Sequence, residues 1–314
     1  RLMPLLRDRA LAEGSAGEAK LAVADGDRAL ALGIAAWGPD YPDIATTRRA
    51  LGLLYIEQLG DIERGETEIA QALRQFSARF GADSAQVANS EQALSKALQL
   101  RGEYARALVH AERAEQIYAR QSGTDHMRHG EALMGVGALR FLRKDFTGSL
   151  AADEAAYPIL ATALGASHPT VALLESNTGE TLLALGRPEA AQGAFQRALD
   201  ILRAARGPDH EDLAFPLKGL GLAHLGRGQL LEAVAPLERA LALSSRAASD
   251  PQELAEIRWA LARTLHALGR DPARARELAT AALAGYRELG SESTDRVQEI
   301  SRWLTTAPGT SGTK

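Results

Sequence analysis

The sequence contains no cysteine. Disulfides, thiolate-ligated zinc and thiol nucleophiles are excluded together. Aromatic residues make up 5% of the chain. With few β-branched residues as well, there is little material for sheets, and the abundant Ala, Leu, Arg and Glu favour helix. No uninterrupted apolar run approaches the ~18 residues that read as a membrane-spanning helix. Neither sign of charge dominates: the net charge is -4 and the pI about 6.0, so the electrostatic footprint of a nucleic-acid-binding domain is missing. The lack of cysteine suits a reducing compartment, and a cytoplasmic location is the expectation. The opening Arg1-Leu2-Met3-Pro4 has no initiating methionine and passes straight into helical pattern, which reads as a piece of a longer protein. Residues 307–314 are small and polar, as expected of a flexible tail.

What is present is repetition. Turn-rich clusters begin at Gly38, Gly81, Gly123, Gly165 and Gly207, spaced 43, 42, 42 and 42 residues apart, and Ser249 and Gly290 continue the series. A period of ~20–50 residues marks a stacked array of supersecondary units. Midway between the clusters lies a second break: Gly60, Gly102, Gly186, Gly228 and Gly269, with Lys144 where a sixth glycine would fall. Glycine ends a helix cheaply by entering the left-handed region, so Lys144 must make that turn in some other way.

Two breaks per period leave segments with apolar residues at three- and four-residue steps, the pattern of amphipathic helix. Helix-turn-helix hairpins are predicted over about 1–37, 43–80, 84–122, 126–164, 168–206, 210–247 and 251–289. A single helix at about 292–305 follows, with Val297, Ile300 and Leu304 on one face, as a terminal cap requires. The fold class is all-α, one solenoid of about seven hairpins and a cap over 1–306. In Gly165-Ala166-Ser167-His168-Pro169, Ser167 or His168 can cap the helix that Pro169 begins. Leu2, Leu5 and Leu6 are expected to lie exposed at the uncapped first hairpin. Pro158, deep in a helical segment, is expected to kink it at about 3 kcal/mol and to change the local curvature as a hinge.

The stretch Leu213-Ala214-Phe215-Pro216-Leu217-Lys218-Gly219-Leu220-Gly221, followed by residues Leu230 to Leu241, resembles tetratricopeptide repeats of the 42-residue kind found in kinesin light chains. Gly207-Pro208-Asp209-His210 and Gly38-Pro39-Asp40-Tyr41-Pro42 look like the linker of that subfamily. Gly52, Ser95, Gly137, Gly179, Gly221 and Ala262 match its close-packing position. The resemblance covers essentially the whole chain and implies a right-handed superhelix whose concave side is lined by the first helix of each pair. Similar arrays follow bacterial, myxobacteria-like Ser/Thr kinase domains, and others follow nucleotide-binding oligomerisation modules; the closing Tyr286-Arg287-Glu288-Leu289-Gly290 and Trp303-Leu304 resemble the kinase-linked group.

The resemblance also implies where a partner would sit. Kinesin light chains hold a peptide backbone with an Asn-Asn pair, and the matching slots here are Arg49-Ala50, Gln92-Ala93, Met134-Gly135, Ser176-Asn177, Lys218-Gly219 and Trp259-Ala260. Only Asn177 keeps an asparagine. Further along the same face come Lys96, Glu180 and Arg263, then Phe141. Met134, Phe141, Phe215 and Trp259 are the candidate anchors, because large buried side chains dominate interface energetics. Arg49, Lys96, Lys218 and Arg263 are candidates for steering an acidic partner, although Glu131, Glu180 and Glu256 lie on or near the same surface. Each of these residues has a plainer reading: the aromatics as packing between helices, the charges as a solvated face.

No chemistry emerges. His126 and His129 with Glu131 lack a further ligand at metal spacing. His168 and His210 recur at equivalent repeat positions and read as linker features. Gly135-Val136-Gly137 and Gly219-Leu220-Gly221 lie within helices, without the strand and third glycine of a phosphate loop. The expectation is a non-enzymatic module with no cofactor and no metal, binding a protein or peptide as part of a larger bacterial signalling protein. The leading host is a Ser/Thr kinase. The alternatives are the sensor arm of a nucleotide-dependent signalling protein, or a self-associating architectural array.

Overall fold

In the computed structural model, which describes residues 2–15, 17–122, 127–246, 250–290 and 294–306, every regular element is helical. The helices are α1 (Leu2–Ser15), α2 (Ala19–Trp37), α3 (Pro42–Leu59), α4 (Ile62–Phe80), α5 (Ala85–Leu100), α6 (Tyr104–Ser122), α7 (Met127–Leu142) and α8 (Phe146–Leu164). They are followed by α9 (Pro169–Ala184), α10 (Pro188–Arg206), a 3-10 turn (Glu211–Leu213), α11 (Ala214–Gly226), α12 (Leu230–Ser244), α13 (Pro251–Ala267), α14 (Pro272–Glu288) and α15 (Thr294–Thr306). The chain divides into two compact units, Arg1–Ala163 and Leu164–Lys314. The clusters Gly123 to His126 and Ser249, and the tail 307–314, lie outside the described residues.

Local chemistry sets the helix ends. Gly38, Gly81 and Gly207 close α2, α4 and α10 at φ 83, 85 and 91° with ψ 165, 160 and 165°, a backbone region open essentially to glycine alone. The next helix then finds its cap. Ser84 accepts from the Val87 N–H, and the His168 and His210 rings accept through Nδ1 from the Thr170 and Asp212 N–H groups at 3.2 Å. The two histidines therefore serve the linkers. At the half-period breaks Gly60 has φ 66° and Gly102 has φ 73°. Lys144 does not find another route: it takes the same left-handed conformation at φ 63°.

The first unit packs its helices as successive pairs, α1 on α2, α3 on α4 and α5 on α6, joined by contacts of α2 with α3, α4 with α5 and α6 with α7. Small residues let the pairs close. A Cβ on Gly52 would meet Ile69 Cγ1 at 2.6 Å and the Gly65 carbonyl oxygen at 2.8 Å. Any larger residue there would force a shift costing about 1–3 kcal/mol. Leu98 and Leu139 share one core cluster, Phe76 and Tyr118 another, and Met3, Leu6, Ala22 and Leu51 belong to the core of the first hairpins. Leu5 is exposed as expected, but Leu6 is buried in that core, and the Leu2 side chain lies outside the described residues. Helix α8 runs through Pro158 without interruption. Pro158 is on its exposed side, where the carbonyl left without a helical donor can turn to water.

The second unit repeats the scheme with α9 on α10, α11 on α12 and α13 on α14. Phe195 fills the space left by Gly179 and Gly219, and Leu237 that left by Gly221. Helix α15 packs on α14, burying Ile300 completely and Val297, Trp303 and Leu304 in part. Asp295 and Arg296 of α15 are exposed, and its Glu299 lies 3.7 Å from Arg263 of α13. The first helices of the pairs also touch one another, α9 with α11 and α11 with α13, and in the first unit α3 with α5.

Candidate partner-binding surfaces

The contact between first helices turns their shared face into a candidate surface within each unit. In the first unit, Arg49 of α3 reaches a half-buried position with its guanidinium 5.8 Å from the centre of the Phe76 ring. Tyr118 of α6 donates its hydroxyl to Asn89 Oδ1 at 2.7 Å and lies 3.4 Å from Gln92 Oε1, while Arg128 of α7 donates to the same Asn89 oxygen at 2.6 Å. Burial pushes the Arg49 pKa down; Tyr118 opposes that shift and the nearby Arg128 adds to it. Burial likewise pushes the Tyr118 hydroxyl up, against the pull of Arg128 and Arg49. No carboxylate among the described residues lies within ion-pair distance of Arg49.

Lys96 of α5 is exposed and is already taken: its Nζ lies 2.5 Å from Glu57 Oε1 on α3. Such a surface pair is worth no more than about 1 kcal/mol. Gln92 and Lys96 share the lining of a shallow cavity of about 140 Å³ with Gly135 and Leu139 of α7. Met134 is half-buried. Phe141 packs at the end of its hairpin, 5.3 Å from the Phe146 ring.

The second unit differs in sign and depth. Lys218 of α11 is 5% exposed, donates to Glu256 Oε2 of α13 at 2.9 Å, and sits 4.8 Å from the Phe215 ring centre. Burial pushes the Glu180 carboxyl above its ordinary value; Lys218 pulls it down, and Glu256 and Glu253 push it up. Glu253 is raised for the same first reason, burial. Ser176 is buried and spends its hydroxyl on the Ala172 carbonyl at 2.9 Å. Asn177 is half-buried.

Trp259 takes the plainer of its two readings, packing between helices. It is 4% exposed and stands edge-on to Trp303 of α15, with ring centres 5.5 Å apart and an interplanar angle of 88°. It packs against the terminal helix. Arg263 lies exposed over its ring at 5.8 Å and 3.7 Å from Glu299. Lys218, a candidate for steering, has its charge buried and paired with Glu256.

The second unit also holds a cavity of about 800 Å³ at the first turns of α9, α11 and α13. Pro169, Leu173, Ser176, Phe215, Glu211 and Glu253 contribute to its lining. Ser176 was legible from the repeat slots, and Phe215 as one of the bulkiest side chains of the same face. Glu253 was not: it stands at the start of its helix, before the position that aligns with those slots, and only its spacing one turn ahead of Glu256 hinted at the same face.

Elsewhere, His129 is buried with Nε2 2.8 Å from Glu115 Oε1, and His126 lies outside the described residues. No group of three metal-ligating side chains occurs among the described residues. No helix among them is long and apolar enough to cross a membrane.

Residues 128–204 and 170–246 match the tetratricopeptide repeat family model. A comparison with curated proteins gives no match. Among solved structures the chain is similar to nearly identical TPR-like repeats from a Podosopora anserina protein assigned as a kinesin light chain, at 17% identity and a TM-score of 0.57, covering 66% of this chain and 97% of that one. It is similar to the apo form of RapI at 14% identity and a TM-score of 0.69, covering 91% and 98%. It is also similar to a signal transduction ATPase with numerous domains that carries a tetratricopeptide repeat sensor, from Pyrococcus horikoshii, at 14% identity and a TM-score of 0.71, covering 94% of this chain and 43% of that one. Identities this low speak to fold. The protein is an all-α solenoid that carries tetratricopeptide repeats.

Proposed function

We propose that this chain is a non-catalytic protein-interaction module that holds a protein or peptide partner on the shared faces of its first helices. One observation carries the reading. The slots that recur in every hairpin have a regular frame and an irregular lining: Arg49, Gln92 and Met134 in the first unit, Ser176, Lys218 and Trp259 in the second. A surface built only to stack repeats would have no need to vary in this way, whereas a surface selecting one partner does. Three of the six slot residues are buried, so selection falls to Arg49, Gln92, Met134 and their neighbours, together with Phe215 beside Lys218. The test is affinity capture with the intact protein and with a variant carrying Arg49→Ala, Gln92→Ala and Phe215→Ala. The reading predicts loss of a partner that the intact protein retains. Retention of every partner by a folded variant would move binding to the other faces or to the linkers.

The host we favour is a larger bacterial, cytoplasmic signalling protein with a Ser/Thr kinase domain, on the resemblance of the chain's closing segments. A second reading draws on the likeness to the Pyrococcus horikoshii protein, in which tetratricopeptide repeats form a sensor: here the array would be the sensor arm of a nucleotide-dependent protein. The two differ in the rest of the gene product. A Gly-rich loop with His-Arg-Asp and Asp-Phe-Gly signatures favours the kinase, and a phosphate-binding Gly-Lys-Ser/Thr loop the sensor arm. Self-association as an architectural array would show as concentration-dependent mass in solution.

A further inference from the structure

The cavity of about 800 Å³ in the second unit joins apolar walls to acidic groups. Leu173, exposed, and Phe215, half-buried, form apolar walls together with Pro169, Pro216 and Leu202. The ionisable residues in its lining are Glu211, Asp212 and Glu253, all acidic, with no Lys or Arg among them. Its volume, about 800 Å³, is in the range of pockets that bury a ligand or several side chains of a peptide.

Acidic residues in a first helical turn are favoured by the helix dipole, and that alone accounts for Glu211 and Asp212. Asp212 has neighbours as well, in Arg206 at 3.7 Å and His210 at 3.4 Å. Glu253 is different. Its Oε1 is buried and has no hydrogen-bond partner among the described residues. Lys218, whose charge acts to lower the Glu253 pKa, has committed its ammonium to Glu256 at 2.9 Å. Three carboxylates, Glu180, Glu253 and Glu256, thus share the influence of one lysine. A buried carboxylate oxygen without a donor is costly, by more than a net hydrogen bond returns. The Glu253 side chain is half-buried and lines the cavity, so a turn of its carboxyl would let it accept from an N–H donor carrying positive charge, brought in by whatever fills the cavity.

We propose that this cavity receives an apolar peptide segment bearing an arginine or lysine, with the cationic head donating to Glu253 and the flanking apolar side chains lying against Leu173 and Phe215. This rests on the reading of the chain as a partner-binding module and assigns the chemistry of one partner site within it. The occupant is the reverse of the acidic partner that Arg49, Lys96, Lys218 and Arg263 suggested in the sequence. In this unit Lys218 is buried in a pair, and the groups left unmatched are carboxylates.

The test is fluorescence anisotropy on the full chain with a labelled peptide of about ten residues alternating Leu and Arg. Matched peptides carry citrulline, the neutral isostere, or Glu in place of Arg. Saturable binding of the Arg peptide is expected, about ten-fold or more weaker for the citrulline peptide and for Glu253→Gln, and weakened by raising salt only in part, because the contact is shielded. Leu173→Lys provides a second variant at an exposed position where folding is not at stake; it places a cation at the cavity mouth and should also weaken binding. Circular dichroism confirms that both variants fold. Equal affinity for Arg and citrulline peptides, or binding unchanged in both variants, overturns the proposal. Binding of the Glu peptide alone, lost on Arg49→Ala, would overturn it while leaving the partner-binding reading intact. If no peptide binds, the cavity assignment falls, and the capture experiment, which relies on other substitutions, decides the broader reading by itself.

Discussion

The ammonium of Lys218 lies 2.9 Å from Glu256 Oε2, and the lysine is almost wholly buried while its partner is partly exposed. The pair bolts α11 to α13 beneath the face on which partners are proposed to dock. Removing one member leaves the other charged in a poorly solvated place. Lys218→Ala should destabilise the protein by about 2–4 kcal/mol, through both the orphaned carboxylate and the space left by the stem. Lys218→Met, which keeps the stem, should cost less, about 1–2 kcal/mol. Adding Glu256→Gln to Lys218→Met should recover part of that loss. Urea-unfolding midpoints of the two single variants and the double variant check this; strictly additive effects would show that the pair is not coupled.

Glu180 supplies a pH test with a definite sign. Burial raises its folded-state pKa above the ordinary 4.5, so between those two values the folded protein holds more protons than the unfolded chain. Stability from this group is therefore greatest at the acidic side of the window and declines as pH rises through the raised value. Glu180→Gln removes the penalty. The variant should melt higher than the parent at pH 7, and the difference should shrink as pH falls towards 4.5. A variant less stable than the parent at pH 7 would mean that the attraction of Lys218 outweighs desolvation.

The edge-on pair of Trp259 and Trp303 makes the docking of α15 visible. The chain has three tryptophans, and Trp37 is already exposed. Trp303→Ala should uncover the Trp259 indole, shift its emission to longer wavelength and speed amide exchange in α15. The cost should be about 1–3 kcal/mol, since Trp303 is only partly buried. An unshifted spectrum, compared with Trp37→Phe as background, would mean that α15 stays seated without the ring.

Lys144 occupies with a side chain the left-handed turn that glycine takes at five equivalent breaks. Lys144→Gly should relieve a strain of ~1–2 kcal/mol, partly offset by the greater entropy that glycine loses on folding. A net gain of about 0.5–1 kcal/mol in the thermal unfolding of the first unit is expected. Loss of stability would indicate that the lysine side chain makes compensating contacts.

The hairpins were legible because their causes are local. Glycine at Gly38, Gly81 and Gly207 is demanded by the backbone angles of the turn itself, and the capping of Thr170 by His168 spans two residues. The close-packing role of Gly52 and Gly221 could also be read, since a small residue recurring at one repeat position implies a helix crossing nearby. Less of the candidate surface was legible. Spacing along a helix says which side chains share a face, but says nothing of what arrives from the next repeat to cover them. Ser176 and Lys218 share the face with Phe215, and yet the first two are buried.

The charges show this most clearly. Lys96 and Lys218 looked alike in sequence, each a cation on the same helical face. Their partners, Glu57 and Glu256, stand 39 and 38 residues away. One pair forms at the surface and the other in the interior, so one lysine still faces solvent and the other does not. The sequence by itself determined that the chain repeats, that its repeats are helical hairpins, and which residues occupy each recurring slot. Period and turn chemistry act over a few residues, and no distant contact can change them. Only the tertiary structure decided which slot residues are open, that Trp259 packs on the last helix, and that Glu253 Oε1 is buried without a donor among the described residues. Burial and charge pairing depend on the helices that close over a position, and those helices lie tens of residues away along the chain.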